Sequence, residues 1–126
     1  MKAAILGRKI GMTTIYNESG RQIPVTLVKA GPCPILKLRT EQEDGYNAVM
    51  LGFEEIEDKK LNKPISGLFK KLEMPALRYI KEFRDLTGDY AVGKTITVGN
   101  FNIGSKVKIT GISKGKGYQG VVKRHH

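Results

Sequence analysis

Hydrophobic and β-branched residues recur along this chain in short runs, separated by glycine, proline and charged turns. Runs of this length with turn residues between them predict β-strands. The predicted strands cover residues 3–6, 12–16, 22–29, 35–40, 46–53, 79–86, 95–98 and 106–110. Their short connections favour antiparallel pairing. Glycines at 7 and 11 place Arg8 and Lys9 on a tight turn between the first two strands.

One segment has the period of a helix instead. Ile65, Leu68, Phe69 and Leu72 repeat at the spacing of one helical face, and Pro64 suits a first helical turn. Seven or eight short strands with one short helix predict a mainly β domain, a small β-barrel with irregular insertions.

The charge of the chain narrows the choice of partner. Lysine and arginine total 22 against 12 acidic residues, a formal net charge of +10. Residues 90–126 contain seven lysines or arginines and no acid. Such a balance favours nucleic acid or an anionic membrane surface. A membrane-surface helix needs large apolar residues opposite its charges, and the glycines of residues 113–126 exclude one there. Nucleic acid is the better partner.

Residues 113–126, the basic segment, concentrate this property. They hold Lys114, Lys116, Lys123 and Arg124, no acid, and three glycines that allow close backbone approach to a phosphate. The segment cannot bury an apolar face, so contact with a partner must order it. We therefore predict a nucleic-acid-binding segment; the alternative is a flexible glycine turn with solvated lysines.

The glycines of the basic segment also match two nucleotide motifs. Gly115, Gly117 and Gly120 fit the dinucleotide fingerprint, and Val122 extends the match to the glycine loop of kinases. The fingerprint requires a following helix and a later acid, and the kinase loop requires a strand lysine and a catalytic loop downstream. The sequence supplies neither context.

A third nucleotide motif lies upstream. Residues 88–95, ending in Gly93, Lys94 and Thr95, satisfy the phosphate-loop pattern. A phosphate loop must lead into a helix, whereas residues 95–98 form a β-branched run. We expect Lys94 in a β-turn. The enzymatic alternative, nucleotide hydrolysis, predicts nucleotide binding that Lys94→Ala abolishes.

The remaining candidate chemistry is sparse. Cys33 is the only cysteine, which excludes a disulfide framework and favours a reducing compartment; we expect it to be a small buried residue. The carboxylates of residues 54–58 have no histidine beside them and predict a solvated loop rather than a metal site. No apolar run reaches the length of a signal peptide or a membrane span.

Several motifs in one order resemble a known family. Residues 7–13 (GRKIGMT), 44–49 (DGYNAV) and above all 110–125 (TGISKGKGYQGVVKRH) are similar to the universal large-subunit ribosomal protein L-three family. Leu68 and Lys108 depart from the histidine and aspartate of many members, so the contacts of those side chains are not carried over. Family members also continue well beyond residue 126, which predicts a fragment or a remainder supplied by a second chain.

The resemblance implies a translation-protein-like β-barrel, incomplete at its C-terminus, with an insertion over residues 54–75. Residues 1–112 would form the barrel and residues 113–126 the start of a long extension toward the peptidyl-transferase centre. The implied partners are large-subunit (23S-type) rRNA and neighbouring ribosomal proteins, with a role early in subunit assembly. No enzyme activity, cofactor, membrane or small-molecule substrate is implied. The expected location is the cytoplasmic ribosome, or that of an organellar matrix.

Residues and resemblance together give one set of candidate rRNA contacts. They are Arg8, Lys9, Lys106, Lys108, Ser113, Lys114, Lys116, Tyr118, Gln119, Lys123, Arg124, His125 and His126. Tyr118 is expected either to stack on an unpaired base or to pack against the end of the barrel. The two histidines favour a phosphate or 2′-hydroxyl over a metal ion, because the adjacent cations repel one; a tag remnant is the other alternative. The rival function is an architectural protein that binds DNA or RNA without sequence preference.

Overall fold

A computed structural model describes residues 3–84, 86, 88 and 90–125. The strands are β1 (Gly7–Tyr16), β2 (Gln22–Ala30), β3 (Cys33–Arg39), β4 (Ala48–Glu55), β5 (Leu77–Arg84) and β6 (Thr95–Ile96). The helices are α1 (Glu41–Asp44), α2 (Lys63–Leu72) and α3 (Val121–His125), and single 3-10 turns lie at Asp58–Lys60 and Val98–Asn100. The prediction of a mainly β fold is confirmed.

The strands form two separate antiparallel sheets. β1 pairs with β2 in a two-stranded ribbon, and the other sheet has the order β5-β4-β3-β6. Antiparallel pairing was expected from the short connections. Within the described part of the chain these sheets do not close into a barrel.

Strand β4 lies at the centre of the core because both of its faces are covered. On one face Leu51 and Phe53 pack with Ile35 of β3. The opposite face meets a second cluster that contains Leu36 and Leu77. Gly52 permits this contact, since a Cβ at that position would lie 2.2 Å from Cδ1 of Leu77.

Helix α2 covers the second cluster, as its period predicts. Phe69 is 2% exposed and packs against Leu36 and Leu77, whereas Lys70 and Lys71 are exposed. The helix ends at Glu73, which adopts a left-handed φ of 53° and donates its N–H to the carbonyls of the last turn. Phe69 is thus the fully buried anchor of the 54–75 region on the sheet, and Leu61, Leu72 and Met74 pack around the same cluster.

The first predicted strand is absent, and the predicted turn at residues 7–11 is wrong. Residues 3–6 are irregular: Ile5 and Leu6 pack on the first cluster, and the Leu6 carbonyl accepts a hydrogen bond from Gly31 N–H at 3.0 Å. Arg8 and Lys9 lie inside β1, where the pairing register shifts between Lys9 and Gly11. A β-bulge thus accommodates this stretch without ending the strand.

The ribbon formed by β1 and β2 leaves much apolar surface uncovered. Ile10, Met12, Tyr16, Leu27 and Val28 are all exposed, Tyr16 to 70%. Met12 and Leu27 belong to opposite faces, because Met12 is paired with Thr26 and Leu27 with Gly11. Neither face of the ribbon is therefore fully covered by the described residues.

Three further predictions about local structure need correction. The turn at residues 41–45 is a single helical turn, α1, ended by Gly45 at φ 76°. The strand predicted at 95–98 is paired only over Thr95–Ile96, because a 3-10 turn begins at Val98. The strand predicted at 106–110 does not form: Ile109, expected to point inward, is 80% exposed. Alternating apolar residues suit a strand, but a strand forms only where a neighbour pairs with its backbone, and the described chain provides none here.

Cys33 is buried, as expected, at the start of β3. Its Sγ lies 3.5 Å from the Leu6 carbonyl. Burial raises the pKa of the Cys33 thiol, although hydrogen bonds with the backbone of Leu6 and Gly31 oppose the shift. The thiol is thus a packed core group.

Phe69→Ala should lower the free energy of unfolding by about 3–5 kcal/mol, because it removes the large side chain that joins α2 to the sheet. Urea denaturation monitored by circular dichroism measures this loss. Ile65→Ala on the same helix is the control, since Ile65 is 36% exposed and its truncation should cost far less. Equal losses for the two variants would show that Phe69 does not anchor α2.

Candidate nucleic-acid interface

Residues 102–125, called here the exposed arm, are all described by the structure and pair with neither sheet. Every residue of the arm is exposed except Gln119, which is half-buried. Its hydrogen bonds are local, such as Ser105 N–H to the Asn102 carbonyl at 3.2 Å and Arg124 N–H to the Gly120 carbonyl at 3.0 Å. Most of its backbone polar groups therefore remain available to a partner.

The cations of the arm are also available. Lys106, Lys108, Lys114, Lys116, Lys123 and Arg124 are exposed, and none forms an ion pair among the described residues. The sequence of the arm contains no acid that could neutralise them. Lys106 and Lys108, predicted on a barrel strand, belong to the same exposed stretch as the predicted contacts of the basic segment.

A turn orients the predicted contacts in the middle of the arm. Gly117 has φ 66°, a left-handed conformation that favours glycine, and Gln119 Nε2 donates a hydrogen bond to the Lys116 carbonyl. Tyr118 lies within this turn and is fully exposed. The expectation that Tyr118 packs against the end of the barrel is therefore wrong for the described chain, and its ring faces solvent.

The last turn of the arm is helical. α3 spans Val121–His125 and presents Lys123, Arg124 and His125. It follows Gly120 directly, so a one-turn helix does follow the glycines, although the described residues just before them form no strand, which the dinucleotide fingerprint requires. Ser113 is exposed in the irregular part of the arm. His126, also a predicted contact, lies outside the described residues.

The second predicted group, Arg8 and Lys9, is not joined to the arm by any hydrogen bond or ion pair of the described residues. Arg8 Nη1 lies 3.0 Å from Oε1 of Glu54, and Arg8 faces Lys29 across the ribbon. Glu54 therefore offsets much of the positive charge of Arg8. Lys9 is exposed and has no such partner in the described chain, so it is the more available cation.

The phosphate-loop motif has the geometry expected of a turn. Gly93 adopts φ 87°, and Lys94 N–H donates to the Ala91 carbonyl at 3.1 Å. The Lys94 carbonyl then accepts the Ile35 N–H at 2.9 Å as the chain enters β6. Residue 89 lies outside the described part. Because Lys94 leads into a strand, no helix terminus meets a phosphate here.

Among the carboxylates of residues 54–58, those of Glu55, Glu57 and Asp58 are exposed, and Glu57 pairs with Lys60 at 3.6 Å. The prediction of a solvated loop is wrong for Glu54, which lies in β4, is half-buried and pairs with Arg8. Among the described residues, no three histidine, cysteine or acidic side chains come together as metal ligands. In that same part of the chain, no helix has the length and apolarity needed to cross a membrane.

A charged network that the sequence did not suggest joins β3, α1, the loop before β4, and β5. Arg39 Nε donates to Oε1 of Glu82 at 2.7 Å, and its Nη1 donates to Asp44. Tyr46 Oη donates to Oε2 of Glu82 at 2.9 Å, and the Arg84 guanidinium lies 4.4 Å from the Tyr46 ring centroid. These residues lie up to 45 positions apart, so no local motif in the sequence marks them.

The network shifts the pKa values of its acids. The hydrogen bond from Arg39 is the largest influence on Glu82 and holds the pKa of that carboxyl below its usual value, although partial burial opposes it. Burial also opposes ionisation of Asp44, but hydrogen bonds and charge from Arg39 and Lys37 outweigh it and lower the pKa. The hydrogen bond to Glu82 raises the pKa of Tyr46.

Comparison with known proteins places the chain beside a protein of the large ribosomal subunit. No model of a protein family matches it. The chain is similar to large ribosomal subunit protein uL3 of Carboxydothermus hydrogenoformans, with 51% identity over 99% of the chain. The alignment spans 60% of the length of that relative. The predicted resemblance to the L-three family is thereby confirmed.

The lowered acid pKa values predict a loss of stability at acidic pH. An unfolded Glu82 or Asp44 binds a proton more readily than the folded one, so the free energy of unfolding should fall as the pH drops below about 5, through the folded pKa values. Glu82→Gln should flatten this decline, as measured by urea denaturation between about pH 3 and pH 7. Exposed Glu57→Gln is the control; a decline unchanged by Glu82→Gln would contradict the assignment.

Proposed function

We propose that this protein is a structural constituent of the large ribosomal subunit and binds large-subunit (23S-type) rRNA through its arm. One observation carries the proposal: an exposed arm with six cations and no acid, on a chain 51% identical to a large-subunit protein. The arm includes the segment most similar to the L-three family, residues 110–125. The role proposed is structural, without catalysis, cofactor or small-molecule substrate.

The mechanism follows from the charge of the arm. Each lysine or arginine that meets a phosphate releases condensed counterions, so affinity falls with salt by a logarithmic slope of about 0.9 per contact on duplex and about 0.7 on single strands. Six contacts give a slope of about 4 to 5. The glycines between the lysines let the backbone amides approach the same phosphates.

The protein recognises its site on rRNA by shape rather than by base edges, because each region of folded rRNA has a distinct shape that a regular duplex does not have. Tyr118 and Gln119 are the proposed exceptions. The exposed ring of Tyr118, at the tip of a turn, suits stacking on an unpaired base. Ser113, His125 and His126 are proposed to donate to phosphates or 2′-hydroxyls.

We further propose that different segments of the chain contact different parts of the subunit. The folded body, which ends where the exposed arm begins at residue 102, packs on neighbouring large-subunit proteins. Residues 113–126 begin the extension that reaches toward the peptidyl-transferase region, and Lys9 with Arg8 forms a second rRNA contact. The protein acts early in assembly and is located in the ribosome, in the cytoplasm or an organellar matrix.

Charge reversal tests the role of the arm. Lys114→Glu with Lys116→Glu should block incorporation into large subunits, because two repulsive contacts replace two attractive ones in the middle of the arm. Sedimentation of tagged variants with large subunits from cells measures incorporation. Lys70→Glu with Lys71→Glu changes the same charge on α2 and should incorporate normally. Equal incorporation of the arm variant and the wild type would disprove the proposal.

Ultraviolet crosslinking in cells, followed by sequencing of the bound nucleic acid, separates the proposal from its rival. Crosslinks at a few positions of large-subunit rRNA support a ribosomal protein. Crosslinks scattered over many RNAs or over DNA support an architectural protein without sequence preference.

A further inference from the structure

Strand β5 lies at the edge of its sheet and is rich in cations. The sheet order leaves β5 with β4 as its only neighbour among the described strands. Arg78, Lys81 and Arg84 are exposed on it, and none of them forms an ion pair with another described residue. This group of cations is separate in the chain from the exposed arm and was not among the sequence-predicted contacts.

Two of these cations are held against aromatic rings. The Arg84 guanidinium carbon lies 4.4 Å from the ring centroid of Tyr46, and that of Arg78 lies 5.3 Å from the ring centroid of Tyr79. A guanidinium held on a ring is oriented in advance and loses less conformational freedom when it binds. Its outer face is planar and cationic.

The one described acid of β5 does not neutralise this surface directly. Both oxygens of Glu82 are engaged, Oε1 by Arg39 Nε at 2.7 Å and Oε2 by Tyr46 Oη at 2.9 Å. The second of these bonds also fixes the ring on which Arg84 lies. Glu82 thereby supports the position of the Arg84 guanidinium through Tyr46 while Arg39 balances its charge.

We propose that the edge of β5 is a further RNA-binding surface, on which Arg78 and Arg84 contact phosphates and stack on unpaired bases of looped RNA. They lie six positions apart on the strand, about 20 Å, which suits contacts to several nucleotides rather than one. This inference rests on the proposed function and adds a surface on the folded body to the arm.

The chemistry of the surface favours RNA over an acidic protein segment. A carboxylate needs only charge and two donors, whereas the flat outer face of a ring-stacked guanidinium matches the face of a nucleobase. Unpaired bases on folded RNA present such faces beside phosphates, so one ligand satisfies both features of each arginine.

Salt titration of binding to large-subunit rRNA tests the surface. Arg78→Gln with Arg84→Gln should lower the logarithmic salt slope by about 1.5, the loss of two phosphate contacts. Lys70→Gln with Lys71→Gln removes the same charge from α2 and should leave the slope unchanged. Arg78→Lys with Arg84→Lys should keep the slope and lose roughly tenfold in affinity, because lysine retains the charge but not the stacking plane. Circular dichroism confirms that the variants are folded.

The outcomes separate this inference from the function on which it rests. An unchanged slope and affinity for both arginine variants, with binding still lost on charge reversal of Lys114 and Lys116, overturns the β5 surface and leaves the arm intact. An equal drop in slope for the α2 control also overturns it, because general charge would then explain the effect. If the arginine variants bind rRNA normally but lose binding to polyglutamate, the surface binds acidic protein and the inference is wrong. Absence of rRNA binding by the wild-type chain defeats both proposals.

Discussion

Burial of strand β4 on both faces is the constraint on which the rest of this structure depends. Leu51 and Phe53 require cover on one side, which the N-terminal residues Ile5 and Leu6 help to provide. The other side requires Phe69, which fixes α2 over the sheet. Gly52 allows Leu77 to approach closely and so brings β5 into the same layer. A substitution at any of these positions therefore affects several elements at once.

The folded body and the arm treat charge in opposite ways. In the body, several acids form ion pairs: Arg39 pairs with Glu82 and Asp44, and Arg8 pairs with Glu54. The arm contains no acid, so no side chain of the arm neutralises the charge of its cations. A polyanion that approaches the protein therefore meets its strongest attraction where the backbone is least committed to internal hydrogen bonds, and binding and ordering of the arm can proceed together.

Local patterns in the sequence predicted much of the fold. The period of Leu68, Phe69 and Leu72 identified α2, because it reports a helix face that the structure buries. Short apolar runs between turn residues identified most of β3, β4 and β5, and alternation identified β2, although the apolar side chains of β2 remain largely exposed. Alternation gave a wrong prediction at residues 106–110. It shows that the side chains suit a strand, but it does not show that another strand is available to pair with them. Glycines around Arg8 and Lys9 suggested a turn because a bulge within a strand has the same composition.

The sequence likewise predicted some of the candidate contacts and missed others. The cations of the arm were identified because they are contiguous and no acid interrupts them. The pairing of Arg8 with Glu54, 46 positions away, had no local signal, nor did the stacking of Arg84 on Tyr46. Both depend on strand register, which a single sequence specifies only through the completed fold.

The uncovered ribbon has a consequence for the handling of the free protein. Its two strands have unpaired edges among the described elements and apolar side chains on both faces, a combination that promotes association between copies. A net charge of +10 opposes that association through mutual repulsion, but only while the charges are unscreened. Concentrated salt, which dissociates RNA from basic proteins, therefore also screens the charge repulsion that opposes association of the ribbons. The protein is best kept soluble by a polyanion or by low ionic strength.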